Sequence, residues 1–286
     1  MIDRLCLIGV GLIGGSLSLA LRRAGYVKSV IGVGRNASNL QEALSRNIID
    51  EASHDAASAV VDADMVVLAV PVGSTGNVFA QIKDHLKKGA TVTDAGSVKG
   101  DVVTQIKEVM NGTLPGYFVP GHPIAGNENS GARAAFPELY QGRRVLLTPT
   151  EATLHTALVA VKRMWEITGA VVEEMPVGHH DRVLAMTSHL PHILAFSLVD
   201  SLARQETSEE IFRYAAGGFR DFTRIASSDP VMWRDICLHN REALLAALTT
   251  YQQDLSELKK AIEKEDVDTL QAIFTQAKKA RDAFLG

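Results

Sequence analysis

An α/β fold, in which a mostly parallel sheet is followed by an all-helical domain, is predicted by three features of this 286-residue chain. Apolar strand-like segments alternate with helix-like ones up to about residue 174. One of them, Leu5-Cys6-Leu7-Ile8, runs into Gly9-Val10-Gly11-Leu12-Ile13-Gly14 and then into a helical pattern. After Met175 no strand pattern recurs, and the apolar periodicity is helical throughout.

The order strand, Gly-x-Gly-x-x-Gly, helix is that of a Rossmann-type first βα unit. Gly9 permits the tight turn, Gly11 lets backbone approach a pyrophosphate, and Gly14 lets helix pack on strand. The helix start offers unpaired N–H groups and positive dipole to phosphates. Leu12 and Ile13 lie in that turn and join the expected cofactor-binding set. The first strand is read at 5–9 and its helix at 16–24. Further strands are expected at 29–33, 65–70, 90–93, 118–119, 145–148 and 170–174, with helices at 40–46, 56–61, 78–86, 101–110 and 152–168. Continuous apolar strands rather than alternating ones imply a sheet covered on both faces. Helices are then expected at 180–203, interrupted near Pro191, and at 209–216, 230–264 and 267–284. The expected division is a cofactor-binding domain at 1–174 and a helical substrate and dimerisation domain at 175–286.

Composition excludes several classes of function. Net charge is −4 and the pI about 6.1, which is no nucleic-acid footprint. The two cysteines, Cys6 and Cys237, make no disulfide framework, so a cytoplasmic protein is expected. The first strand starts almost at residue 1, leaving no room for a signal peptide, and no run of 18 apolar residues suggests a membrane span.

An NAD site wants an acidic residue at the end of the second strand, about 20 residues after the glycines. Here that strand ends Val33-Gly34-Arg35-Asn36, with Ser38 following. Gly34 removes bulk and negative charge, Arg35 supplies a cation and Ser38 a hydroxyl. NADP is therefore the expected cofactor, with NAD possible if Arg35 is only a solvated loop charge.

Five motifs carry chemistry. Val70-Pro71 ends a strand at the sheet edge where cofactor and substrate lie. Asp94-Ala95-Gly96-Ser97-Val98-Lys99 does the same one unit later; Ser97 can bond substrate, cap the next helix, or both, and Lys99 can contact cofactor or the helix start. His122, within Gly121-His122-Pro123-Ile124-Ala125-Gly126, sits in a rigid loop at the same edge. An imidazole with a pKa near neutrality suits a base that takes a hydroxyl proton while hydride leaves. In the helical half, His189 and His192 are three apart, with no third metal ligand in view, so substrate contact is expected and a metal is not. His179-His180-Asp181 reads as a helix start. Arg220 and Arg224, four apart beside Gly217 and Gly218, can clamp a carboxylate or pair with Asp221 and Asp229. Asp229-Pro230 opens the next helix, and Trp233 is an aromatic of core or interface type.

Taken together, GVGLIGGS at 9–16, DAGSVK at 94–99, HPIAG at 122–126, SHLPH at 188–192 and GFRDFTRIASSDPVMW at 218–233 resemble the prephenate/arogenate dehydrogenase family of tyrosine biosynthesis, in the family's order and over nearly the whole chain. The resemblance implies oxidative decarboxylation of a cyclohexadienol, prephenate or arogenate. It implies His122 as the base, Ser97 bonding the hydroxyl and that base, and Arg224 on the ring carboxylate. His192 or His189 would contact substrate, and Trp233 would reach a site near it, in the partner subunit. It further implies a homodimer built on the helical domain, a state the many apolar helical faces also suggest. Two rival readings are a β-hydroxyacid-dehydrogenase-like oxidoreductase, which would use a helix lysine rather than a loop histidine, and a dinucleotide-sensing protein without turnover.

Overall fold

In the computed structural model, which describes residues 1–126 and 129–285, the expected α/β architecture is present. Its first part runs β1 (Ile2–Ile8), α1 (Leu12–Arg23), β2 (Val27–Val33), α2 (Ala37–Ser45), β3 (Glu51–Ser53), α3 (Ala56–Ala59), β4 (Met65–Leu68), α4 (Thr75–Ile82), β5 (Thr91–Asp94), α5 (Gly100–Val109) and β6 (Phe118–Val119). These strands form one parallel sheet in the order β3-β2-β1-β4-β5-β6. The order reverses between β1 and β4, and the crevice at that switch point is where such sheets bind dinucleotides. Burial on both faces explains the continuous apolar strands. Along β1, Leu5 and Leu7 enter the core on one side of the sheet, while Cys6 and Ile8 enter the core on the other. Burial pushes the Cys6 thiol up to about 12, making it an inert core residue.

The structure departs from the expected single sheet after β6. Pro120 separates β6 from β7 (Gly121–Pro123), and the chain leaves the parallel sheet there. β7 pairs antiparallel with β8 (Arg144–Leu147), which pairs parallel with β9 (Val171–Glu174) across α6 (His155–Glu166). Proline has no N–H to give to a ladder, so a change of partner at Pro120 costs no hydrogen bond. Edge strand β3, polar and three residues long, carries no periodicity that a sequence could display.

The helical part comprises α7 (Val177–Leu184), a π-helical turn at Ala185–His189, α8 (Leu190–Ala203), α9 (Ser208–Arg213), α10 (Gly217–Thr223), a 3-10 turn at Arg224–Ser227 and α11 (Pro230–His239). Asp229 caps α11 by accepting from the Met232 amide, with Pro230 in the first turn. By length and mean hydropathy (1.3) the continuous run Val177–Ala203 would suit a membrane crossing. It instead carries His180 and His189 into the protein interior, both at most 1% exposed. The helix expected at 230–264 is two helices, α11 and α12 (Arg241–Glu263), with the buried Asn240 between them. Two compact units divide the chain, Met1–Arg241 and Glu242–Gly286. The second consists of α12 and α13 (Val267–Leu285), joined by a tight turn in which Glu265 has φ +53°.

Candidate active site

The glycine turn has the geometry its sequence implies. Gly9 has φ +101°, and a Cβ there would lie 2.1 Å from the Ala69 carbonyl oxygen. A Cβ on Gly14 would lie 2.4 Å from the Gly9 carbonyl oxygen and 2.9 Å from the Leu7 side chain. Around Gly11, by contrast, a Cβ would meet nothing within 4 Å. Gly11 begins α1 with extended backbone and no side-chain cap, so the first amides of the helix, at Leu12 and Ile13, have no side chain competing for an anion. The cradle fits a pyrophosphate. Val70 and Pro71 follow β4, next to β1 in the sheet. At the end of β2, Arg35 is exposed and Gly34 has room for a side chain only if Leu40, 3.3 Å from an added Cβ, gives way. Asn36 caps α2 through the Asn39 amide, and the Ser38 hydroxyl donates to Asn36 Oδ1 at 2.7 Å. His54, which the sequence reading did not single out, bonds the Gly34 carbonyl through Nδ1 at 2.7 Å.

One unit along the sheet, a buried ion pair organises the edge. Lys99 is fully buried, its ammonium bonded to Asp94 Oδ2 and to the Gly121 carbonyl. Asp94 also accepts the Gly96 amide at 2.8 Å and the Gly121 amide at 3.1 Å. The lysine expected to contact cofactor or helix start is thus committed through its side chain to the strand that carries His122. Ser97 is half-buried in the loop between Asp94 and α5 and, among the described residues, makes no direct hydrogen bond to His122. Nor does it cap α5. That helix start belongs to Asp181, whose carboxylate accepts the Lys99 amide at 2.9 Å and the Gly100 amide at 2.7 Å. A Cβ on Gly100 would lie 2.7 Å from Asp181 Oδ2, so a larger residue would block this contact.

His122, on β7, is buried, and its Nδ1 lies 2.9 Å from His180 Nε2. His180 Nδ1 in turn lies 2.8 Å from Asp181 Oδ1. The sequence reading placed His180 and Asp181 merely at a helix start; here they back the candidate base. The pKa near neutrality expected for His122 is corrected. Burial first, then the neighbouring His180, Lys99 and His189, push it well below the ordinary 6.5, so the imidazole is neutral and able to accept a proton. Burial likewise lowers His180, against the pull of Asp181. Asp181 itself is held below the usual carboxylate range: burial works to raise it, but the bonds from His180 and the two amides prevail.

On the helical side, Asn240 bonds His189 Nδ1 at 3.0 Å and the Asp181 carbonyl at 2.9 Å. Burial lowers His189 to about 4. His192, half-buried, is bonded through Nδ1 to the Ser188 carbonyl at 2.8 Å and stacks on Trp233 with ring centroids 3.7 Å apart. Trp233 therefore packs on a histidine of its own chain, with its indole N–H buried and, among the described residues, without a hydrogen-bond partner. His192 is lowered chiefly by burial, with the Arg224 charge acting in the same direction, and the turn that carries Arg224 packs on α8. Arg224 is exposed in the turn after α10, and Gly217 is the exposed first residue of that helix. The structure thus brings His189, His192 and Trp233 into one cluster, with the turn that carries Arg224 packed on the helix of His192.

Family models match most of the chain. That for the prephenate dehydrogenase nucleotide-binding domain covers residues 17–174, and that for the prephenate dehydrogenase dimerization domain covers 176–276. A cyclohexadienyl dehydrogenase of Zymomonas mobilis is 39% identical over 280 residues, 97% of this chain and 94% of that one. A prephenate dehydrogenase structure from Aquifex aeolicus, in complex with hydroxyphenyl propionate and NAD+, is 40% identical, with a TM-score of 0.91 over 98% of both chains. The Synechocystis arogenate dehydrogenase structure is 29% identical, with a TM-score of 0.82 over 98% of this chain and 99% of that one.

Four neutral imidazoles make stability depend on pH in a definite direction. Unfolded, each titrates near 6.5; folded, His122, His180, His189 and His192 take a proton only at lower pH. In that window the unfolded chain binds more protons, so stability rises with pH and is lost as pH falls below about 6.5. The thermal midpoint should fall between about pH 7 and pH 5, and His189→Asn should flatten the fall. A midpoint constant across that range in the unaltered protein would contradict the assignment.

Proposed function

The chain belongs to the prephenate dehydrogenase family, and from that premise we propose that it oxidatively decarboxylates prephenate, L-arogenate or both with a nicotinamide cofactor, giving 4-hydroxyphenylpyruvate or L-tyrosine. The observation that carries the reading is the buried His122, whose Nδ1 is engaged by His180, leaving Nε2 as the nitrogen that meets substrate. Residues 1–174 hold the cofactor, and 175–286 complete the substrate site and the dimer. Gly9, Gly11, Leu12, Ile13 and Gly14 cradle the pyrophosphate, with Val70 and Pro71 alongside. The bound nicotinamide supplies the hydride acceptor. His122 takes the C4 hydroxyl proton, with Ser97 as a hydrogen-bonding partner of that hydroxyl. Arg224 pairs with a substrate carboxylate beside Gly217. His192 is the better substrate contact of the two SHLPH histidines. It is half exposed and backed by Trp233, whereas His189 is buried and bonded to Asn240.

The lysine chemistry of β-hydroxyacid dehydrogenases has no support at this edge, since Lys99 Nζ is spent on Asp94 and the Gly121 carbonyl. A homodimer through the helical part is supported by α12 and α13, which leave Leu245, Leu255, Phe274 and Phe284 exposed.

For the cofactor, the inferred preference is NADP. A 2′-phosphate carries about two negative charges near neutral pH; the exposed Arg35 and the Asn36 amide group are the donors beside Gly34. Steady-state assays crossing prephenate and arogenate with NAD and NADP test both parts. NADP should be favoured at least about tenfold in kcat/KM, equivalent to about 1.4 kcal/mol, and Gly34→Asp with Arg35→Ala should move the ratio towards NAD. Absence of turnover in all four combinations sinks the activity; preference for NAD by the unaltered enzyme sinks the cofactor assignment alone. Arg224→Ala should raise the substrate KM by an order of magnitude or more, since a charge-assisted hydrogen bond contributes about 1.5–3 kcal/mol. Loss of cofactor affinity with substrate binding intact would show that Arg224 serves the other ligand.

A further inference from the structure

The reaction class proposed above releases no net proton. Hydride loss at C4 turns the alcohol into a carbonyl and frees the hydroxyl proton. Loss of carbon dioxide from C1 then returns an electron pair through the ring to that oxygen, which becomes a phenolate and takes one proton back. The proton is borrowed, and a buried site with restricted solvent exchange must hold it in the interval. His122 is such a site, being 8% exposed, but it is ringed by groups that disfavour a charge on it.

We propose that His180 and Asp181 act as a proton store behind His122, fixing its tautomer before hydride transfer and holding the borrowed proton until the phenol forms. Hydrogen-bond chemistry fixes each proton in turn. The ionised Asp181 carboxylate can only accept, so the hydrogen on the 2.8 Å contact belongs to His180 Nδ1. A neutral His180 therefore has a bare Nε2, and on the 2.9 Å contact His122 Nδ1 must donate. His122 Nε2 is left bare, in the form a base requires. When Nε2 takes the hydroxyl proton, an O–H bond breaks and an N–H bond forms. The Nδ1 proton can then pass to His180 Nε2, and the positive charge settles next to the Asp181 carboxylate. The return path reverses both transfers, so no proton is gained or lost overall. This is the logic of a carboxylate that orients a catalytic imidazole, extended by one ring.

The charges facing the pair are consistent with storage on His180. From the loop after β5, Lys99 opposes a second positive charge, and its partner Asp94 works against that opposition. From α7, Asp181 favours the charge on His180, while His189 in the π-helical turn disfavours it on His122. Asp181 is fixed for this task by the Lys99 and Gly100 amides at the start of α5, and so cannot swing away from His180. His180 touches His122, and Asp181 touches His180; both act through His122, so both are positioning residues.

The inference rests on the proposed activity, and the test separates the two. His180→Gln keeps an acceptor for His122 Nδ1 but cannot hold a proton, so it removes storage while sparing the tautomer. In single-turnover assays of cofactor reduction it should slow the rate about 100-fold, the lower end of the usual contribution of proton transfer, while substrate and cofactor affinities are retained. In mixtures of light and heavy water, the rate of the unaltered enzyme should depend on deuterium fraction along a bowed curve, reporting two protons in motion, and that of His180→Gln along a straight line. A native rate in His180→Gln, or a curve still bowed, overturns the store. If the unaltered enzyme turns over neither substrate, the activity fails instead. The store can then still be judged by nitrogen NMR of the histidines, where protonation of His122 at Nε2 rather than Nδ1 in the resting protein would overturn it, and the reverse would support it.

Discussion

The buried pair of Asp94 and Lys99 is the interaction from which the rest of the site takes its position. Three pieces of chain meet on it: the end of β5, the loop leading to α5, and the first residue of β7. Taking two charges out of water is costly, and such a pair adds little net stability where apolar residues could replace it. Removing one partner is another matter, because the charge left behind would destabilise the fold by about 3–5 kcal/mol. What the pair provides is registry. Both Asp94 oxygens and two of the three ammonium protons of Lys99 are used on Gly96, Gly121 or the partner charge, and Gly121 is the residue before His122. The change of sheet at Pro120 could otherwise leave β7 free to shift, and here it is pinned at the residue next to the base.

A second carboxylate extends this control into the helical part. Asp181 satisfies the first amides of α5, which lack a partner within the helix, and holds His180, so one side chain joins the sheet edge to the helix that follows the last strand. Beyond it the helix widens into a π turn at Ala185–His189, a distortion that tends to occur where function needs a side chain re-aimed. Asn240 closes the arrangement from the break between α11 and α12, bonded to both the Asp181 carbonyl and His189. The helical segments thus build part of the site.

What the sequence made legible is local. Gly9 and Gly14 announce themselves because no other residue fits within 2.1 and 2.4 Å of a backbone oxygen. His122 and Arg224 stand in short motifs whose residue types suggest the roles proposed for them. What it concealed depends on distance along the chain. His180 lies 58 residues from His122, and Asp181 lies 82 from the Lys99 amide it caps. Neither pairing has a periodicity, and a carboxylate after two histidines looks like any helix start. The depressed pKa of His122 was invisible for the same reason, since burial and three charged or polar neighbours belong to the folded chain alone. The break at Asn240 also had no signal, lacking the glycine or proline that punctuates most helix ends. For Lys99 the motif suggests a contact to cofactor or helix start, whereas its ammonium is paired with Asp94, five residues away inside the protein, a partner that only burial reveals.

The central claim is that His122 is the base that takes the substrate hydroxyl proton. Its most direct test is kcat for His122→Asn under saturating prephenate or arogenate and cofactor, with thermal midpoint and cofactor affinity measured on the same preparation. A fall of about 10²- to 10⁴-fold is expected, the range for a lost general base, in a protein that still folds and binds its cofactor. A variant that folds, binds cofactor and keeps near-native kcat would contradict it.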